Sequence, residues 1–541
     1  MTDVKTFPIP FTLKTIEDNI YFSTNSPPKT SKEEIISQAF KFHSEGNILE
    51  AARYYQDFLD QGFSDHIVFS NYGVILKNLG KLQEAELSYR KAIEMKPDFA
   101  EAHSNLGNIL RNLGKLQDAE LTTRKAIKLN PEYAKAHSNL GNILRDLGKS
   151  QEAFDCYLKV TELDPNFPNI YQYITRFLGD SNPSLLNQSK LKNILNQLLE
   201  RNDINHQELF KAFYYLYNNK IINNLDRLQS DFFKTETFKL FINDKLIINV
   251  LRKIIFCDFK WESLLTKTRK SICEKAIANK EEFSNSQLQF IIALGEQCFL
   301  NEYVYSLTKE EKIYVDTLIK RCIAVEINES LISILSCYLP LYKLLKRIPK
   351  LKYFYSTNQN FKELIKLQIL EPIEENKLSQ NIKRLGSINN VISQQVKSQY
   401  EENPYPRWRY GNNSKDIKLS LSQLISSEIE PNSIYDSKDY KQLKILIAGC
   451  GTGNQILQAQ RYKNAQITGI DLSLSSLSYA QRKINELGIN NVQLIQMDLL
   501  EVSLLEKQFD IISCSGVLHH IDDPLKGLKG LLSILKGDGF L

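Results

Sequence analysis

The sequence lacks the cysteine spacing of a metal site: its eight cysteines include no CxxC pair and no histidine at ligand spacing. They read as buried, inert, reduced thiols, which argues against a disulfide frame and for a cytoplasmic setting, with no metal expected. An excess of one charge is missing too. A net charge of +5 on 541 residues, with no basic block or stripe, gives no reason to expect nucleic acid or an anionic membrane as partner. Long apolar runs are absent: the best stretch, residues 331–345, is broken by Pro340 and Lys343 and is too short to span a bilayer. Residues 1–28 hold Asp3, Pro8, Pro10 and Asp18 with no apolar core behind a basic start, so no secretory signal is expected. What remains is the composition of a soluble globular chain, long enough for about three domains.

The chain does have an internal repeat. Pro97, Pro131 and Pro165 are spaced by 34 residues, as are Gly46, Gly80, Gly114 and Gly148, and Ala51, Ala85, Ala119 and Ala153. Gly73, Gly107 and Gly141 keep the same step, which registers four units near residues 32–65, 66–99, 100–133 and 134–167. Each unit reads as a helix, a glycine turn and a second helix that a proline stops; small residues let the two backbones approach. One unit cannot bury its apolar face alone, so the units must stack into a solenoid. Ser31 followed by Glu34 predicts a capping box at its start.

This pattern resembles the tetratricopeptide repeat, with His103 and His137 at the place of its large aromatic. Asn71, Asn105 and Asn139 recur once per unit on the first helix. They are similar to an asparagine ladder in the protein O-linked N-acetylglucosamine transferases, and that resemblance implies a groove gripping the backbone of an extended peptide. The alternative is that these asparagines brace neighbouring helices.

Residues 169–393 are rich in Leu, Ile, Lys, Asn and Tyr, with apolar positions at helical spacing (Leu191, Ile194, Leu195, Leu198, Leu199). They predict a mostly helical middle region with no catalytic motif. Within it, IIFCDFKWESL (residues 254–264) resembles the piece joining repeats to catalytic lobes in the same glycosyltransferases. At residues 396–408, VKSQYEENPYPRW, Pro404 and Pro406 force an extended path. Tyr400, Tyr405, Arg407 and Trp408 add aromatic surface and a cation there.

From residue 444 the pattern changes to strands alternating with helices. KILIAG (residues 444–449) runs into the turn GCGTGN; QITGIDL ends a second strand at Asp471; VQLIQMD ends a third at Asp498; FDIISCS leads into GVLHHIDDP. This predicts a doubly wound parallel sheet whose ligand lies beyond the strand C-termini. Gly449, Gly451 and Gly453 remove side chains so that a ligand can approach the backbone. Asp471, about 20 residues on, is placed to accept from two ribose hydroxyls. Asp498 can accept from an adenine amino group, with Leu472 and the amide of Leu499 beside these acids. Asn454 stands where a dinucleotide fingerprint has its last glycine, and a second acid follows the third strand.

Across residues 443–541 this set resembles the class I S-adenosylmethionine methyltransferases, which implies S-adenosyl-L-methionine as cofactor. Ser515, His519 and His520 then sit where the methyl group should lie, and a histidine could take a proton from the nucleophile. The alternative makes both histidines structural. Asp522 and Asp523 read as a helix cap before Pro524. Residues 396–408 resemble a segment that precedes the catalytic domain in bacterial repeat–methyltransferase fusions, which implies a lid or substrate wall; the alternative is a rigid linker. The sequence stops at GDGFL, where the family's fifth strand should begin, so an incomplete sheet is expected.

The expected architecture is therefore multidomain. It comprises an N-terminal extension (1–31), an all-α solenoid (32–168), a helical middle (169–393) and an α/β Rossmann-like methyltransferase domain (394–541). The expected function is methyl transfer, with the repeats recruiting a protein or peptide. Two alternatives stand beside it: a small-molecule or glycan methyltransferase docked by its repeats, and a binding scaffold with a vestigial catalytic fold. Acceptor and oligomeric state are not legible.

Overall fold

The structure, a computed structural model, describes residues 31–218, 235–278, 283–324, 327–404, 406–411, 418–428, 440–506 and 508–541. Tyr405 and the predicted N-terminal extension, Ser31 apart, lie outside them. The chain divides into two compact units. One runs to Lys149 and includes Leu158–Asp164; the other holds Ser150–Tyr157 and the chain from Pro165. No helix among the described residues is long and apolar enough to cross a membrane.

The first unit is built from helix pairs. Lys32–Ser44 pairs with Ile48–Asp60, His66–Asn78 with Leu82–Met95, and Ala100–Asn112 with Leu116–Leu129; Ala134–Asp146 opens the next pair. The predicted capping box forms: the Ser31 amide donates to Glu34 and the Glu34 amide to the Ser31 hydroxyl. The glycines at 46, 80, 114 and 148 all have φ between +74° and +76°, a conformation that ends the first helix of each pair and turns the chain back. Gly73 lets the Tyr89 ring close on its helix, because a Cβ there would lie 2.7 Å from that ring. The apolar faces merge across pairs, with Leu76, Tyr89, Leu106, Leu110 and Ile143 in one cluster. His103 and His137 each donate from Nε2 to a proline carbonyl, Pro97 at 2.9 Å and Pro131 at 2.8 Å. The imidazole thus ties the first helix of a unit to the turn before it.

The second unit contains the middle helices and a six-stranded, fully parallel sheet. Its strands are β1 (Lys383–Arg384), β2 (Leu443–Ala448), β3 (Ala465–Asp471), β4 (Val492–Gln496), β5 (Phe509–Cys514) and β6 (Leu535–Phe540), in the order β1-β4-β3-β2-β5-β6. Alternation along β2 explains why both faces are covered. Ile445 and Ile447 pack with Leu477 and Ala480 of the helix Leu474–Glu486, whereas Leu446 and Ala448 pack with Leu531 of the helix Pro524–Ser533. The order runs outward from β2 to β4 and then returns to β5, which leaves a crevice at the switch point. One edge differs from expectation. Lys383 and Arg384 add a short strand against β4, and the Leu385 amide continues it to the Gln496 carbonyl at 3.0 Å. Leu535–Phe540 forms a strand beside β5, with one register shift between Phe509 and Ile511. Asp523 caps the helix Pro524–Ser533 as its sequence predicts, accepting from the Lys526 amide at 3.0 Å.

Not every cysteine is buried: Cys257 is exposed and Cys156 and Cys514 are half-buried.

Candidate functional site

A cavity of about 370 Å³ opens beyond the C-terminal ends of β2, β3, β4 and β5. Each strand delivers a turn to it. Gly449, Gly451 and Thr452 follow β2; Asp471 and Leu472 end β3; Met497, Asp498 and Leu499 follow β4; Ser515 and Val517 follow β5. Ser393, Val396 and Tyr400 of the helix Val391–Glu402 form the facing wall, with Pro406 beyond them. The size is that of a small-molecule site, which spans about 300–1,000 Å³.

The turn after β2 has a shape that side chains would oppose. Gly449 has φ +71°, and a Cβ on it would lie 2.1 Å from the Val517 side chain. Gly451 has φ +49°, and a Cβ on it would meet nothing within 4 Å, because it faces the open cavity. Gly453 serves a different end. It does not line the cavity; it begins the helix Asn454–Ala459, and a Cβ there would press on Ala480 at 2.9 Å.

Asp471 holds the turn. One carboxylate oxygen accepts from the Gly451 amide and the other from the Ser473 amide, both at 2.8 Å. Burial pushes this carboxyl above the ordinary aspartate range; those amides oppose the shift and the nearby Glu401 adds to it. Asp498 is 3% exposed, and its Oδ1 accepts from the Leu500 amide at 3.0 Å. It therefore caps the short helix Leu499–Leu505 as well as lining the cavity. The described lining has two carboxylates and no lysine or arginine. Such a lining disfavours a pyrophosphate and suits a ligand that carries hydroxyls, an amino group and positive charge.

Residues 445–539 match the methyltransferase-domain family, while residues 73–114, 100–133 and 134–167 match tetratricopeptide repeats. The chain joins tetratricopeptide repeats to a methyltransferase domain. It is 41% identical over 100 residues to an uncharacterized protein of Synechococcus, covering 18% of this chain and 24% of that protein. It is 27% identical over 156 residues to the ubiquinone biosynthesis O-methyltransferase of Haemophilus ducreyi, covering 28% of this chain and 63% of the enzyme. The chain thus spans less than two thirds of the length of these relatives. Among solved structures it is similar to the first TPR of Spaghetti (RPAP3) bound to an HSP90 peptide, at 28% identity and a TM-score of 0.20, covering 21% of this chain and 89% of that one. It is also similar to MamA, at 24% identity and a TM-score of 0.27, covering 30% and 92%.

Within the methyltransferase domain, Gly449, Gly451, Asp471, Leu472, Asp498, Leu499, Ser515 and His520 meet around one cavity, and His519 does not reach it. The two imidazoles are stacked at a tilt, centroids 4.0 Å apart, and both are exposed. Sequence reasoning, which offered residues 396–408 as a lid or substrate wall, missed Ser393, Thr452 and Met497. For Ser393 a signal existed: Ser393, Val396 and Tyr400 stand at i, i+3 and i+7, one face of a helix.

In the repeats, the three asparagines differ. The Asn139 amide donates to the Ser104 hydroxyl at 3.0 Å and accepts from Asn108 at 3.3 Å, so it braces neighbouring helices. Asn105 is buried with its amide nitrogen unpartnered, and Asn71 is half-buried.

Proposed function

We propose that the methyltransferase domain binds S-adenosyl-L-methionine in the cavity at the strand ends and transfers its methyl group to an acceptor recruited through the repeats. The observation that carries this reading is the pairing of Asp471 and Asp498 at the ends of adjacent strands around a glycine turn, with no lysine or arginine in the described lining. Asp471 would accept from the ribose hydroxyls with Leu472 beside it. Asp498 and the Leu499 amide would meet the adenine edge. Gly449 and Gly451 let the ligand lie against backbone, and Ser515 lies toward the methyl end. Gly453 supports the turn from behind.

When bound, the sulfonium supplies an activated methyl whose leaving group is a neutral thioether. The protein's remaining task is to align a nucleophile and exclude water. Tyr400, Val396 and Ser393 supply the wall for that exclusion. His520 is the member of the histidine pair placed to take a proton from a nitrogen or oxygen nucleophile, and His519 backs it. The repeats present a protein or peptide substrate. Of the three asparagines, Asn71 is the least buried and would meet a peptide backbone beside its bond to Tyr55, the unpartnered Asn105 amide nitrogen would donate behind it, and Asn139 stays with Ser104 as a brace.

Calorimetric titration with S-adenosylhomocysteine tests the cofactor assignment. The native chain should bind and Asp471→Ala should not, with circular dichroism confirming that both are folded. Binding that survives in Asp471→Ala would remove the assignment of Asp471.

A further inference from the structure

The residues around Pro406 do more than wall the cavity. Thr452, in the middle of the glycine turn and 2% exposed, makes a reciprocal pair of bonds with them. Its hydroxyl donates to the Pro406 carbonyl at 2.7 Å, and its own carbonyl accepts the Trp408 indole N–H at 2.9 Å. Further upstream, the Tyr400 carbonyl accepts from the Ser473 hydroxyl at 3.0 Å. The Glu401 carboxylate accepts from the Leu474 and Ser475 amides at 2.8 and 3.0 Å. This segment therefore crosses the turns that follow both β2 and β3.

The strap is itself held firmly. Its Trp408 carbonyl accepts from the Tyr479 hydroxyl at 2.6 Å, and its Arg409 carbonyl from Lys483 at 3.0 Å. The Trp408 ring meets Tyr479 edge-on at 6.2 Å, under the Lys483 ammonium at 5.5 Å. Arg407 and Arg409 on either side are ion-paired, the first to Glu302 in the turn after the helix Asn285–Leu300 and the second to Glu296 of that helix. By contrast, the turn carries three glycines at positive φ within five residues, the backbone that loses most freedom on ordering. A glycine-rich turn, held by Asp471 on one side and by a firmly bonded strap on the other, is an arrangement for setting the turn's shape before ligand arrives, which raises affinity by lowering the ordering penalty.

We propose that Trp408 is a positioning residue for the glycine turn: its indole N–H, together with the return bond from Thr452 to Pro406, sets residues 449–453 in the shape the methyl-donor site requires. The inference rests on the cofactor reading above. Trp408 does not line the cavity; it acts through Thr452, which does.

The test uses the full chain with Trp408→Phe, which keeps a ring but removes the donor, and with Thr452→Val and Thr452→Ser, which remove and keep the hydroxyl. Hydrogen–deuterium exchange without ligand reads the turn itself, and calorimetry with S-adenosylhomocysteine reads the site. Trp408→Phe and Thr452→Val should speed exchange in peptides covering residues 449–459 and raise Kd about fivefold to tenfold, the value of one or two hydrogen bonds. Thr452→Ser, which keeps the hydroxyl, should exchange more slowly than Thr452→Val in the same peptides. A merely structural tryptophan would lower the melting temperature and loosen the whole domain without singling out this turn. Unchanged exchange there, or unchanged affinity, in a folded Trp408→Phe chain overturns the inference while the cofactor reading stands. If the native chain binds no S-adenosylhomocysteine yet Trp408→Phe still loosens the turn, the cofactor reading fails and the hold on the turn remains.

Discussion

Two glycines only two residues apart, Gly449 and Gly451, show how one residue type serves unlike ends. At Gly449 an added methyl has nowhere to go: it meets Val517 at 2.1 Å on a backbone of φ +71°. Gly449→Ala should therefore destabilise the domain by about 1–3 kcal/mol, read as a lower urea midpoint. At Gly451 the methyl enters open cavity. Gly451→Ala carries only the left-handed backbone penalty of about 1–2 kcal/mol, yet it should weaken S-adenosylhomocysteine binding far more than its stability changes. Asp471 gives a pH signature. Burial raises its carboxyl above the ordinary value of about 3.9, and only the ionised form accepts from two hydroxyls without donating. Ligand affinity should thus fall on acidification at a higher pH than for an exposed aspartate, and calorimetry in a series of buffers from neutral pH downward checks it. Stability of the unliganded chain runs the other way at this group. The folded state keeps a proton that the unfolded chain releases, so this contribution declines as pH rises from about 3.9 to the raised value.

Elements were legible where a local rule fixes them. The 34-residue spacing gave the helix pairs, and apolar strands ending in Gly449, Asp471 and Asp498 gave β2, β3 and β4, because a parallel sheet writes its period and its binding turns into contiguous sequence. β1 was not legible: two exposed, charged residues, Lys383 and Arg384, carry no strand signal, and only the open edge of β4 makes them one. The asparagines were legible as a ladder but not as to what they touch, since Asn139 meets Ser104 across 35 residues. Close packing between paired helices is testable at Gly73, whose missing side chain makes room for the Tyr89 ring. Gly73→Ala should cost about 1–3 kcal/mol, because a ring 1% exposed cannot step aside, and denaturant unfolding of the repeats should show it. At the helix Leu474–Glu486, Glu401 places a carboxylate on the first-turn amides. Glu401→Gln should lower stability by about 0.5–2 kcal/mol, with a smaller loss at high salt.

At the scale of the whole chain, the methyltransferase domain and the middle helices belong to one unit because of charges that no local pattern reveals. Arg482, fully buried, meets Glu371 at 3.0 Å, Glu375 at 2.9 Å and Glu486 at 2.6 Å. Arg409 meets Glu363 at 3.4 Å as well as Glu296, and Arg407 meets Glu302. Partners separated by 105, 107 and 113 residues cannot be paired by spacing, so the helical pattern of the middle region gives no sign that it supplies most of these carboxylates. Removing the buried Arg482 cation leaves the half-buried Glu371 and Glu375 and the more exposed Glu486 facing each other unpaired, and opens a cavity where the side chain lay. Arg482→Ala should therefore destabilise the second unit by about 3–5 kcal/mol. The repeats draw their stability from nearest-neighbour packing and hold none of these residues, so their unfolding should be unchanged. Urea unfolding followed by hydrogen exchange resolves the two: peptides from the middle helices and from the sheet should lose protection together and at lower urea in the variant, while peptides from residues 66–146 keep theirs. Loss confined to the helix Leu474–Glu486 would mean that the cluster stabilises only its own helix and that the middle region and the sheet unfold independently.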